Sequence, residues 1–132
     1  MSTPAETDGL TVLGQTVRHA IDHLECFDAP EHVETVRFTT DEVMSLCPVT
    51  EQPDISSLVL EYRPDERCIE SKSLKLYLWS FRDRKAFCEA LAAEIAAEVV
   101  RAADPHEVTV TLTQQPRGGI TIQATAVRRK GS

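Results

Sequence analysis

Apolar and polar residues alternate along several stretches of this chain, and one longer stretch repeats with the period of a helix. From His32 to Phe38 the apolar Val33, Val36 and Phe38 alternate imperfectly with Glu34, Thr35 and Arg37, which predicts a strand. Thr40 or Asp41 places an oxygen where free backbone N–H groups need an acceptor, so a short helix is expected from there through Leu46. That helix must stop before Pro48, because a proline pushes the residue before it out of the helical region. Cys47 therefore sits at a forced break, ahead of a predicted loop over residues 48–57 that carries Pro48, Pro53 and Asp54. Leu58–Tyr62 reads as a strand, Pro64-Asp65 as a turn, and Cys68–Ser80 as a longer strand containing Ile69, Leu74, Leu76, Leu78 and Trp79. Arg82–Ala103 is the one long helix, stopped by Asp104-Pro105. Glu107–Gln114 alternates through Val108, Val110 and Leu112. Beyond Pro116-Arg117-Gly118-Gly119 the alternation resumes at Ile120, Ile122, Ala124 and Ala126, which signals a hairpin.

Helices inserted among antiparallel strands give an α+β class. A small sheet covered by helices on one face leaves its other face and its edges to be managed, so assembly with further copies is expected. The 132 residues allow one domain with a core. Residues 1–30 are polar and turn-rich, and read as an N-terminal arm ordered only by a neighbouring subunit, ahead of a single domain over 31–132.

Charge narrows the function classes. The formal net charge of -7 weighs against direct nucleic-acid binding. No run approaches the ~18 apolar residues of a membrane span, and no basic start leads into an apolar run, so a cytoplasmic protein without membrane attachment is expected. Cys26, Cys47, Cys68 and Cys88 lie far apart without a Cys-x-x-Cys pair or clustered histidines, so no metal site is expected. Rossmann and P-loop glycine fingerprints are absent.

Three features carry candidate chemistry. Cys47, with Asp54 seven residues on, fits a buried filler, a metal ligand or a nucleophile with an acid partner. In the long helix Phe87, Cys88, Leu91, Ala92, Ile95 and Val99 share an apolar arc. Glu89 lies about 140° from Glu94 and about 180° from Glu98 at ~100° per residue, so it either snorkels to solvent or points into a ligand cavity. In Glu70-Ser71-Lys72-Ser73-Leu74-Lys75, a strand reading puts a cation on each face. That fits an edge strand guarded by lysines or an anion site with serine donors.

Together, "LCPVTxQPD" with Cys47 and Asp54, "ESKSLKLYLWSFR" and "FCE" at 87–89 resemble the NADPH-dependent 7-cyano-7-deazaguanine reductases, the nitrile reductases of queuosine synthesis. The resemblance spans roughly residues 33–129 and is of the short, single-module type. It implies the tunnelling fold, an antiparallel sheet with two helices on one face, in subunits that form rings with active sites at their interfaces. It also implies Cys47 as nucleophile, Asp54 as proton donor, and Glu70 and Ser71 with the Ile69 backbone as a substrate-binding stretch. By the same resemblance Glu89 grips the deazaguanine, with Cys88 beside it, and Lys72 and Lys75 serve NADPH. Three positions depart from that family: Glu51 stands where glycine is usual, Asp83-Arg84 replaces Asn-His, and Cys88 replaces a histidine that helps position and protonate the substrate.

The chemistry suits these residue types. A thiolate adds to a nitrile carbon to give a thioimide, whose C=N unit accepts hydride, and two NADPH per turnover reach the primary amine. Two alternatives stand beside this: an ammonia-dependent, amidine-forming relative acting on the nitrile in modified tRNA, and a non-catalytic deazapurine-binding or scaffold subunit. The lysine-bearing stretch favours NADPH, and a bare scaffold has no use for Cys47, Asp54, Glu70 and Glu89 together.

Overall fold

In a computed structural model, which describes residues 19–131, the chain runs β1 (Cys26–Asp28), β2 (Val36–Leu46), β3 (Pro53–Arg63), β4 (Arg67–Ile69), α1 (Ser71–Trp79), α2 (Cys88–Ala103), β5 (Glu107–Arg117) and β6 (Ile120–Arg129). Four strands form an antiparallel sheet in the order β2-β3-β5-β6, and β1 pairs with β4 in a small second sheet. Alternation builds the main sheet as expected. Leu58, Leu60 and Tyr62 on β3 and Val108, Val110 and Leu112 on β5 all point to one buried face. Against that face pack Leu74, Tyr77 and Leu78 of α1 and Leu91, Ile95 and Val99 of α2. Burying each such side chain contributes about 1.5–3 kcal/mol, so this one face holds the domain together. Ala124 and Ala126 on β6 let α2 lie close over the last strand. The opposite face stays polar and open, with Thr111 and Thr125 hydroxyls 3.2 Å apart across β5 and β6. The fold is α+β with both described helices on one face of an antiparallel sheet.

Two predicted elements are corrected. The helix expected from Thr40 or Asp41 to Leu46 is the second half of strand β2. An extra residue between Thr40 and Val43 makes a bulge, because Thr40 pairs with Leu58 while Val43 pairs with Ser56. The inward set thus changes from Phe38 and Thr40 to Val43 and Ser45, which breaks the period of two. The oxygen taken for a helix cap is used locally, since the Thr40 hydroxyl accepts the Glu42 N–H at 3.1 Å.

The strand expected over Cys68–Ser80 is only Arg67–Ile69, followed by helix α1. Leu74, Tyr77, Leu78 and Phe81 recur at helical spacing and are buried together. Glu70 caps that helix: its carboxylate accepts the N–H groups of Lys72 and Ser73, both at 2.8 Å.

Boundaries move elsewhere as well. The long helix starts at Cys88 and not at Arg82, because Leu46 N–H donates to Arg84 O at 2.8 Å and Ala86 N–H to Leu46 O at 3.1 Å. Those backbone groups are committed to the end of β2 and cannot enter a helix. The helix stops where predicted, with Asp104 left-handed at φ 44°. The arm boundary at residue 30 also shifts. Leu24 and Cys26 are buried and β1 pairs with β4, so this segment belongs to the domain, while residues 1–18 of the expected arm lie outside the described residues.

Candidate active site

Cys47–Gln52 is the loop that joins β2 to β3, closed by Cys47 N–H to Gln52 O at 2.9 Å and Glu51 N–H to Cys47 O at 2.8 Å. Pro48 has no N–H, and the amides of Val49 and Thr50 turn back toward the Cys47 sulfur. The Thr50 hydroxyl, together with the Thr50 and Val49 N–H groups, holds the thiol below its ordinary pKa; slight burial and the Asp54 charge oppose this. Four buried or half-buried cysteines remain thiols, and Cys47 is the half-buried one. The surroundings thus favour a thiolate at Cys47 over a filler, and no cluster of His, Cys, Asp and Glu suited to a metal occurs among the described residues.

The loop needs a left-handed residue at its turn, and Glu51 supplies it with φ 59°. That conformation explains why glycine is the usual residue here in the family the sequence resembles. The Glu51 carboxylate is ion-paired with Lys85, both side chains being exposed. Glu51→Gly is therefore expected to stabilise the protein by about 0.5–1 kcal/mol, since an exposed pair contributes only a few tenths. Thermal unfolding should show Tm rising by about 2–5 °C. A fall in Tm would mean that the Lys85 pair fixes the loop.

Asp54 lies opposite Ser45 across the β2–β3 ladder, and both are buried. Its position at the start of β3 puts its charge within reach of two thiols, Cys47 and Cys88. Cys88 is the first residue of α2, buried, with its sulfur 3.7 Å from Leu112 O on β5. Burial, then the Glu89 charge, push this thiol up. Glu89 stands exposed in the first turn of α2, where a carboxylate also suits the helix dipole. Cys47, Asp54, Cys88 and Glu89 therefore gather at one end of the sheet. The hydrophobic side chains of Val49, Phe87 and Ile120 are exposed there too.

The second group of predicted residues sits elsewhere. Ile69, Glu70 and Ser71 form the turn from β4 into α1, with the Ile69 N–H bonded to the Tyr62 hydroxyl at 2.7 Å. Tyr62 and Asp54 are eight positions apart on β3, or about 27 Å along a strand. Within one chain the Ile69–Ser71 turn is thus near the opposite end of the sheet from Cys47. Glu70 is buried with its carboxylate engaged as the cap, whereas Ser71 is exposed.

From this turn a groove of about 970 Å³ runs between α1 and the bulged half of β2, lined by Ser71, Lys75, Trp79, Thr40, Met44 and Ile55 among others. Of the two predicted lysines, Lys75 lines it, while Lys72 is half-buried at the helix start. Arg82 adds a cation 4.2 Å over the Trp79 ring, a feature that sequence reasoning missed because its strand assignment hid the stacking of residues three apart on a helical turn.

Comparison with known proteins bears on this geometry. The family model described as QueF-like protein matches residues 53–131, a span that includes Asp54, Glu70 and Glu89 and begins after Cys47. A protein of Alkalilimnicola ehrlichii named NADPH-dependent 7-cyano-7-deazaguanine reductase is 48% identical over 101 residues, 76% of this chain and 78% of that one. A Bacteroides fragilis protein of the same name is 44% identical over 119 residues, covering 86% and 79%. One from Exiguobacterium sp. is 40% identical over 126 residues, covering 90% and 78%. Among solved structures, an archaeosine synthase QueF-Like in the apo form superposes with a TM-score of 0.67 at 26% identity, over 71% of this chain and 92% of that chain.

Proposed function

The chain belongs to the QueF-like family, and from that premise we propose that it is an NADPH-dependent reductase converting the nitrile of 7-cyano-7-deazaguanine to 7-aminomethyl-7-deazaguanine. The observation that carries this reading is the Cys47 loop, where one half-buried thiol is held toward its thiolate with a carboxylate facing it from β3.

The chain's residues then have distinct tasks. The Cys47 sulfur adds to the nitrile carbon, forming an S–C bond as one C–N π pair moves to nitrogen. Asp54 takes up the Cys47 thiol proton as sulfur attacks and passes it to that nitrogen, leaving a neutral thioimide. Glu89 accepts ring N–H and exocyclic amine donors of the deazaguanine, a bidentate match for a carboxylate. NADPH supplies hydride to the carbon, two equivalents for each nitrile carried to the amine. Cys47 departs as thiolate once that carbon is tetrahedral, and is regenerated. Cys88 stands in the place of the family's histidine. Its raised pKa keeps it a neutral S–H thiol, so it does not shuttle protons at neutral pH.

The groove along α1 suits the cofactor: Lys75 offers a cation for phosphate, and Trp79 with Arg82 offers a flat face beside a second cation. Lys75→Ala should raise the KM for NADPH several-fold and flatten its salt dependence with the nitrile KM unchanged, and Lys72→Ala should do less. Equal loss of affinity for both substrates would remove the lysines from this role.

Assembly follows from the separation of the two groups. The Ile69–Ser71 turn of one copy reaches the Cys47 end of another only if copies pack edge to edge, so the complete site lies at a subunit interface within a ring. The exposed Val49, Phe87 and Ile120 at one end, and Met44, Ile55 and Trp79 about the groove, are the apolar surfaces such packing covers. No described helix is long and apolar enough to cross a membrane. We place the enzyme in the cytoplasm, with no direct contact to nucleic acid.

The test is to mix purified protein with 7-cyano-7-deazaguanine and NADPH and follow absorbance and product mass. Two NADPH consumed per nitrile, with four hydrogens gained by the product, is expected. Nitrile consumption that needs ammonia and leaves NADPH untouched would give the amidine-forming alternative; binding without turnover would leave a non-catalytic subunit.

A further inference from the structure

The turn that carries Ile69, Glu70 and Ser71 has almost all of its backbone donors committed within the protein. Ile69 N–H goes to the Tyr62 hydroxyl at 2.7 Å, Glu70 N–H to Glu25 O at 2.8 Å, and the amides of Lys72 and Ser73 to the Glu70 carboxylate. Ser71, exposed at the first position of α1, is the residue of this turn that is open to a ligand. Its position is set by what holds the residues on either side. On one side is the helix cap. On the other is a single buried side chain, Tyr62, reaching out of the central strand β3.

Tyr62 is well placed for this. It is 1% exposed and pairs on one side with Val36 of β2 and on the other with Val108 of β5, so its backbone cannot shift. Its ring stacks on Phe38 with centroids 6.5 Å apart, which fixes the direction of the phenol. Burial drives the phenol pKa up, and the Cys68 thiol on β4 adds to this, so the hydroxyl keeps its proton. The oxygen is then free to accept from Ile69.

We propose that Tyr62 is a positioning residue for nitrile binding, its buried hydroxyl fixing the Ile69 amide and thereby the Ile69–Ser71 turn on which the deazaguanine is read. This rests on the reading of that turn as substrate-binding. It also gives β3 two tasks, with Asp54 at its start serving the chemistry and Tyr62 near its end serving recognition. In an assembled ring these tasks fall in neighbouring sites, so one rigid strand holds parts of two of them in register.

The experiment compares Tyr62→Phe with wild type, using 7-cyano-7-deazaguanine and NADPH as probes. The variant deletes one oxygen, keeps the stacked ring, and leaves a buried amide without its acceptor. The nitrile KM is expected to rise roughly five- to twentyfold, with kcat at saturation within about twofold and the NADPH KM unchanged. Leu60→Val, on the same strand and equally buried, is the control for general loosening and should leave the nitrile KM alone. Cys68→Ala removes the thiol that helps hold the Tyr62 phenol protonated and is the milder second variant, expected to raise the nitrile KM about two- to fivefold. A lowered Tm with an unchanged nitrile KM in Tyr62→Phe, or in Cys68→Ala if Tyr62→Phe does not fold, overturns the proposal. So does an equal rise in Leu60→Val. Wild-type protein that neither binds nor reduces the nitrile overturns the functional reading and this inference with it, whereas normal wild-type kinetics matched by both hydroxyl-network variants overturns the inference alone.

Discussion

Cys47→Ala is expected to abolish both covalent capture of the nitrile and its reduction, with turnover falling at least about a thousandfold, as removal of a nucleophile does elsewhere. Intact mass spectrometry on wild type with 7-cyano-7-deazaguanine and no NADPH should show one adduct per chain, absent from the variant. The other thiols have reason to stay silent. Cys26 is buried and its pKa is pushed up to about 11, Cys88 is buried with its pKa raised, and Cys68 is buried on β4. Only Cys47 combines partial exposure with donors aimed at its sulfur. The pH dependence carries a sign. Because hydrogen bonds from Thr50 and Val49 lower the Cys47 pKa, the rate of adduct formation should reach its plateau at lower pH than the ~8.5 of a free thiol, and decline only below the lowered value. A plateau reached only above the free-thiol value would mean the loop does not activate Cys47. An adduct that persists in Cys47→Ala would move the nucleophile to another cysteine.

How legible the site was depended on how local each signal is. The break at Cys47-Pro48 could be read because proline acts on its immediate neighbour, and the structure keeps that break as the β2–β3 loop. The strands of β3, β5 and β6 could be read because one buried face imposes alternation over many residues. The bulge at Thr40–Val43 could not, since a single extra residue flips the inward face and imitates a helical pattern for a few positions. Helix α1 was hidden for a related reason. Leu74, Leu76 and Leu78 alternate like a strand, yet the set that settles the matter is Leu74, Tyr77, Leu78 and Phe81, buried together under a Glu70 cap. Polar Glu70-Ser71-Lys72-Ser73 fits either element, and only the carboxylate bonds to two successive amides distinguish them. What no local pattern could give is the distance between the Cys47 loop and the Ile69–Ser71 turn. That depends on the direction of β3 through the sheet, and it is the separation on which the proposal of a site shared by two copies rests.

Asp54→Asn should separate two roles that a carboxylate next to a thiol could have. As a proton donor, Asp54 gives a proton to the nitrile nitrogen while sulfur adds to carbon, and the amide cannot replace it. Reduction is therefore expected to fall by about two orders of magnitude, the usual scale for a positioned acid. Asp54 is buried opposite Ser45, and asparagine keeps its shape, so the fold and the Tm should change little in comparison. The charge, however, acts the other way on the nucleophile. Its negative field raises the Cys47 pKa, so removing it lowers that pKa further and increases the thiolate fraction near neutral pH. Alkylation of Cys47 by iodoacetamide should accordingly be faster in Asp54→Asn than in wild type at pH 7, while nitrile reduction is far slower. No simple loss of structure gives that pair of opposite changes. If alkylation and reduction slow together, Asp54 supports the loop and donates no proton. If reduction stays near the wild-type rate, the proton comes from water and the carboxylate serves only to set the electrostatics around Cys47.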